Sequence, residues 1–142
     1  MKRAHFDTVL MIVTGRVVPY LELETNKVQT IGNKASSLDN LYETLAKTMG
    51  SPVNTHDIPG VLWVVAAYFK KEYPEIREDT DFPLIWELYE SWRGSFLTKH
   101  DLPDWYDVPV LNTEKVKNGR VSRGTRVEFI LPEDRRVSVF IP

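Results

Sequence analysis

Asp57-Ile58-Pro59-Gly60-Val61-Leu62-Trp63-Val64-Val65-Ala66-Ala67-Tyr68-Phe69-Lys70-Lys71-Glu72 is the stretch whose reading decides the fold. Its apolar part, 61–69, suits a buried strand or a buried helix, because no polar residue interrupts it to set a period. The flanks decide. Pro59 falls in a first helical turn, where its missing N–H donor costs nothing. Lys70 and Lys71 place positive charge in a last turn, and Pro74 stops what precedes it. The stretch therefore predicts a helix that is apolar all round, and so central and buried.

Upstream, Leu38, Leu41, Tyr42, Leu45 and Met49 recur at helical spacing. Ser36 or Ser37 is the expected cap of this first helix, and Gly50 its left-handed stop. Residues 16–24 read as a strand carrying Pro19, which confines it to a sheet edge. Thr25-Asn26-Lys27 turns it into a partner at 28–31. The opening run 5–13 fits both a helical face and a β-branched strand and stays open between them.

Downstream, Asp81 caps an expected third helix with Pro83 in its first turn. Leu84, Ile85, Leu88, Tyr89 and Trp92 then point inward, and Gly94 ends it. Residues 101–107 read as a loop. From 108 the pattern is β: a strand at 108–111, Asn118-Gly119 as a hairpin turn, and a second hairpin. In that hairpin Val127, Phe129 and Leu131 face the same side as Val137, Val139 and Ile141. An α+β fold is expected: three central helices with an N-terminal β-hairpin and a C-terminal antiparallel sheet, in one domain spanning 1–142.

The chain has no cysteine, which removes disulfides, thiolate metal sites and a cysteine nucleophile. No apolar run approaches the roughly 20 residues that cross a bilayer, and no secretory segment is evident, so a cytoplasmic protein without membrane contact is expected. Charge is uneven. Residues 72–107 carry three Lys/Arg against ten Asp/Glu, and residues 108–142 carry seven against four. Intramolecular balance is the commoner reason for such a split, and directed partner contact the other. Four tryptophans are a large aromatic payload. Trp63 and Trp92 are assigned to buried helix faces, and Trp86 and Trp105-Tyr106 to partly exposed ones.

Gly50-Ser51-Pro52-Val53-Asn54-Thr55-His56-Asp57-Ile58-Pro59 has an echo in Gly94-Ser95-Phe96-Leu97-Thr98-Lys99-His100-Asp101-Leu102-Pro103. Every repeated residue has a capping or turning task, so two similar helix-end loops explain the pattern without chemistry. The chemical alternative is a divalent metal held by His56, Asp57, His100 and Asp101, if the two loops converge. His56-Asp57-Ile58-Pro59-Gly60 is also similar to the H-D-I-G-K of metal-dependent phosphohydrolases named for their His-Asp doublet. That resemblance implies an upstream His and a downstream Asp, for which His5 and Asp101 are the residues at hand. Phosphate-loop, serine-hydrolase and zinc-protease motifs do not occur.

Thr14-Gly15-Arg16 sets a guanidinium beside a glycine bend, a pattern able to hold an anion or to serve as a plain turn. Lys115, Lys117, Arg120, Arg123, Arg126, Arg135 and Arg136 are interrupted by Glu128, Glu133 and Asp134 and lack interleaved aromatics. Solvated hairpin faces account for them better than a nucleic-acid surface does.

Thr14-Gly15-Arg16-Val17-Val18, Leu41-Tyr42-Glu43-Thr44-Leu45, Met49-Gly50, Thr55-His56-Asp57-Ile58-Pro59 and Pro74 together resemble an uncharacterised tailed-bacteriophage family. Its pattern runs T-G-R, L-Y-E-x-L, a short bend and T-H-Q-L-P-R, and the likeness spans residues 1–74. Asp57 stands where that pattern has Gln, and Gly60 where it has Arg. The resemblance implies a phage accessory protein in the bacterial cytoplasm and marks Thr14, Gly15, Arg16, His56, Asp57 and Pro59 as ligand-binding candidates. The leading expectation is a protein without catalysis or cofactor that binds a host protein or a small molecule. Interference with a bacterial defence or metabolic system would be its use, and a homo-oligomer stays open. The alternatives are a His-Asp metal phosphohydrolase and a nucleotide or nucleic-acid binder.

Overall fold

The computed structural model describes residues 3–18, 20–22, 27–29, 35–112 and 121–142, the side chains of 20–22, 27–29 and 35–39 excepted. In chain order the elements are β1 (Arg3–His5), α1 (Phe6–Thr14), β2 (Tyr20–Glu22), β3 (Lys27–Gln29) and α2 (Ala35–Met49). Then follow α3 (Ile58–Glu72), α4 (Trp86–His100), β4 (Trp105–Asp107), β5 (Val110–Leu111), β6 (Thr125–Ile130) and β7 (Arg136–Ile141). The class is α+β, with four helices among the described residues where three were expected.

The fourth helix is the run that the pattern left undecided. In α1 every residue from Thr8 to Val13 is buried, together with Phe6, so it has no polar face to betray a helical period. His5 caps it through Nδ1, which accepts the Asp7 N–H at 3.1 Å. Gly15 ends it at φ 69°, its N–H bonded to the Met11 carbonyl at 2.8 Å. Only glycine enters that left-handed region without cost.

α3 packs between α1, α2 and β7. Val61, Val64, Val65, Ala66, Tyr68 and Phe69 are buried, and Leu62, Trp63 and Ala67 lie half-buried beside the core. Pro59 sits in its first turn as expected, and Tyr73, ahead of Pro74, leaves the helix with ψ 71°. Tyr68 meets Phe129 of β6 at 5.1 Å between ring centroids, which seats the sheet on the helix. That sheet has the order β5-β6-β7, antiparallel throughout. Val127 pairs with Val139 and Phe129 with Val137, so the expected faces and register hold.

Three other expectations are corrected. Residues 101–107 are not all loop: β4 pairs antiparallel with β1, Ala4 opposite Tyr106. Within the strand expected over 16–24, residues 16–18 are not strand, Tyr20–Glu22 is and pairs antiparallel with Lys27–Gln29, and Pro19 and residues 23–26 lie outside the described residues. The Asn118-Gly119 turn lies outside them too. α2 begins at Ala35, ahead of both serines, and ends as expected at Gly50 with φ 76°.

α4 departs furthest. It starts at Trp86 rather than after Asp81, runs through Gly94, and stops at Asp101 in the left-handed conformation, φ 52° and ψ 50°. Asp81 caps nothing there; its carboxylate lies 3.6 Å from Arg16 Nη1. Of the five side chains expected to point inward, only Tyr89 is fully buried and Trp92 half-buried. Leu84, Ile85 and Leu88 are more than half exposed. Aromatic packing settles the rotation of α4: Trp92 and Phe96 stack at 4.9 Å, and both meet Phe6.

Tyr106 is buried on β4, and its hydroxyl has no hydrogen-bond partner among the described residues. Burial pushes its pKa up, with Tyr73, 4.7 Å away between rings, adding to the shift. A buried hydroxyl without a partner opposes folding. Tyr106→Phe is therefore expected to leave stability unchanged or raise it by about 1 kcal/mol. A melting point several degrees below wild type would show that the hydroxyl is bonded.

Candidate functional site

The two copies of the G-S-x-x-x-x-H-D-[I/L]-P pattern fold differently. In the first, Gly50 closes α2, residues 51–54 form a loop, and Thr55–Asp57 make a 3-10 turn into α3. The Asp57 N–H bonds the Asn54 carbonyl at 2.9 Å and holds that turn. In the second, 94–100 is helix, and the chain turns only at Asp101. Asp57 precedes a helix and Asp101 follows one. The shared letters therefore serve opposite ends of a helix.

The first copy frames a cavity of about 420 Å³. Met49, Val61, Val64 and Val121 form its apolar surface, and His56, Asp57, Pro59 and Gly60 its edge along the start of α3. Trp63 and Arg123 complete it, the guanidinium carbon 4.8 Å from the indole centroid. A cation set over an aromatic ring at this distance is held by the ring's electron density. A smaller hollow of about 100 Å³ adjoins along Ser51–Asn54 and shares Met49, Asp57 and Val61. A Cβ added at Gly60 would meet nothing within 4 Å, so the first turn of α3 is open there. The guanidinium on the cavity comes from Arg123.

Thus three of the six ligand-binding candidates, His56, Asp57 and Pro59, share one wall. Thr14, Gly15 and Arg16 do not line it. They form the end of α1: Thr14 Oγ1 donates to the Leu10 carbonyl at 2.7 Å and accepts the Arg16 N–H at 3.3 Å. The Arg16 guanidinium donates to the Thr80 carbonyl, approaches Asp81, and lies 4.8 Å from the centre of the Phe82 ring. It fastens the segment before α4 to the end of α1. This is a structural clamp.

His100 lies at the last turn of α4 with its ring 4.6 Å from Phe96, and neither it nor Asp101 lines the cavity beside His56. Among the described residues no group of three or more His, Asp or Glu is placed to hold a metal ion. His5, the upstream ligand implied by the phosphohydrolase resemblance, caps α1 and packs edge-on against Trp105 at 5.0 Å.

Sequence reading missed two wall residues, Trp63, assigned to the core, and Arg123, assigned to a solvated hairpin face. Their meeting spans sixty residues, and neither has a local signal. It also missed the buried charge at the start of α1. Asp7 accepts the Tyr89 hydroxyl and pairs with Arg93 Nη1 at 2.8 Å. Burial alone would raise the Asp7 pKa, but the contacts with His5 and Tyr89 and the Arg93 charge outweigh it and hold it below 3.8.

Comparison with known proteins adds one match. No curated protein and no solved structure matches the chain. Residues 33–79 match the model of a family described as a domain of unknown function, DUF7736. The matched segment contains α2, the 3-10 turn and α3, and so the cavity residues from Met49 to Val64, whereas Arg123 and Thr14-Gly15-Arg16 lie outside it.

Proposed function

We propose that this protein is a binding protein without catalysis, a phage-encoded accessory protein whose small ligand seats in the cavity at the start of α3. Interference with a bacterial defence or metabolic system is the use this reading assigns it. One observation carries the binding reading. The cavity of about 420 Å³ combines an apolar surface with a few polar groups converging from separate elements, the arrangement and size of small-molecule sites. The phosphohydrolase reading draws no support from His56 and His100, which stand on different elements in different surroundings. A thermal-shift panel of nucleotides, aromatic acids, neutral nucleosides and short peptides tests the proposal on wild type and on Val64→Trp, which fills the cavity. The expected result is a stabilising compound whose effect vanishes in the filled variant; stabilisation by none of them would refute it.

A second reading, contact with a host protein, has an observation of its own. Leu84 and Ile85 just ahead of α4, and Leu88 in its first turn, expose their side chains, with the exposed carboxylates Glu87 and Glu90 nearby in sequence. Exposed apolar groups this close along the chain, with the acidic Glu87 and Glu90 beside them in sequence, suit a partner surface of apolar side chains flanked by Lys and Arg. Host protein retained by wild type, released by salt and lost in Leu84→Asp/Leu88→Asp supports this reading. Equal retention by the double variant sinks it.

A further inference from the structure

Charge pairing among the described residues singles out one guanidinium. Of the eight described arginines, six lie within 4.0 Å of a carboxylate: Arg3 with Asp107, Arg16 with Asp81, Arg77 with Asp79, Arg93 with Asp7, Arg135 with Glu72 and Arg136 with Glu128. Arg126 makes a long contact of 3.5 Å with Ser138 Oγ on the outer face of the sheet. Arg123 alone of the eight lines the cavity at the start of α3, and its contact is the Trp63 ring, with no carboxylate of the described residues beside it. Asp57, the one carboxylate among the described lining residues, already has an interaction within the chain. His56 stands exposed on the same edge.

We infer that the cavity takes a flat organic anion, its ring against Trp63 and the apolar surface, its phosphate or carboxylate on the Arg123 guanidinium. This rests on the binding reading above and deepens it. A guanidinium resting on an indole loses little of its in-plane donor fork, and that fork matches the paired oxygens of a carboxylate or phosphate. The stem and ring also hold each other in place before a ligand arrives, so less side-chain freedom is lost on binding. Met49, Val61, Val64 and Val121 reward an apolar ring, which a bare inorganic anion would not use. The volume admits a molecule the size of a mononucleotide or a fused-ring acid.

Isothermal titration of the full chain with four probes tests the inference: AMP, 1-naphthoate, adenosine and inorganic phosphate. AMP or 1-naphthoate is expected to bind at least about tenfold more tightly than both adenosine and phosphate. The tighter of those two identifies the anionic group as phosphate or carboxylate. Arg123→Gln, an exposed position that folding tolerates, removes that advantage, and Trp63→Phe, which keeps a ring, weakens both anions less than Arg123→Gln does. Arg126→Gln leaves binding unchanged. Affinity of both AMP and 1-naphthoate no better than that of adenosine, or binding indifferent to Arg123→Gln, overturns the anion assignment while the cavity remains a ligand site. Failure of all four probes also overturns the class; the binding function itself falls only if the wider thermal-shift panel is empty as well.

Discussion

Phe6→Ala is expected to cost about 4 kcal/mol of folding stability, a large part of the total for a domain of this size. Phe6 is fully buried at the junction of β1 and α1, and its amide donates to the Asp104 carbonyl at 2.8 Å. Its ring meets Trp92 at 6.3 Å, Phe96 at 5.8 Å and Tyr106 at 6.4 Å between centroids. These belong to α4 and β4, so one side chain joins the start of the chain to elements about ninety residues away. Removing it leaves a cavity that three rigid rings fill poorly, and the cost of such a deletion grows with the volume left behind. Urea unfolding checks this through a lower midpoint at unchanged slope. A loss under about 1 kcal/mol would mean that α4 is not docked on α1 in this way.

The second large effect is electrostatic and depends on pH. Asp7→Asn keeps the shape of the side chain but strips the charge that faces Arg93, and both side chains of the pair are about four-fifths buried. Leaving a cation so placed without its anion is expected to cost roughly 2–3 kcal/mol at neutral pH. The folded-state pKa of Asp7 is depressed below 3.8, so its contribution is fully present above the unfolded value. It is lost as pH falls through the folded value. The gap in stability between wild type and Asp7→Asn should therefore be constant above about pH 5 and close progressively below 3.8. Tyr89 sharpens the contrast. Burial, with Asp7 beside it, pushes its hydroxyl far up, so it stays a donor to the carboxylate across this range. Chemical unfolding of both proteins across pH reads the gap directly, and a gap that persists in acid would contradict the assignment.

Signals that act within a few residues were the legible part of this fold. Pro59, Lys70-Lys71 and Pro74 bracket α3, and strict alternation marks β6 and β7 and sets their register. Where two distant segments decide, local pattern failed. β1 and β4 are three residues each and a hundred apart, so neither has a period of its own. Asp81 and Pro83 look like a helix start, but Arg16 claims Asp81 from sixty-five residues away, the helix begins only at Trp86, and the aromatic packing of Trp92 and Phe96 leaves Leu88 outward. Gly94 looked like a stop, yet a helix tolerates glycine for about 1 kcal/mol relative to alanine. The candidate site divides along the same line. His56, Asp57 and Pro59 were found because they surround a helix start, whereas Trp63 and Arg123 acquire meaning only when α3 meets the segment before β6.

That meeting is the centre of the account, and two-dimensional amide spectra of labelled protein test it most directly. Spectra are recorded with AMP and with 1-naphthoate in turn. The predicted result is a set of shift changes confined to Met49 and residues 56–64 and 121–124, led by the Trp63 indole N–H and absent in Arg123→Gln. Changes centred on Thr14-Gly15-Arg16 or on His100, or no change at saturating concentrations of either anion, would contradict it.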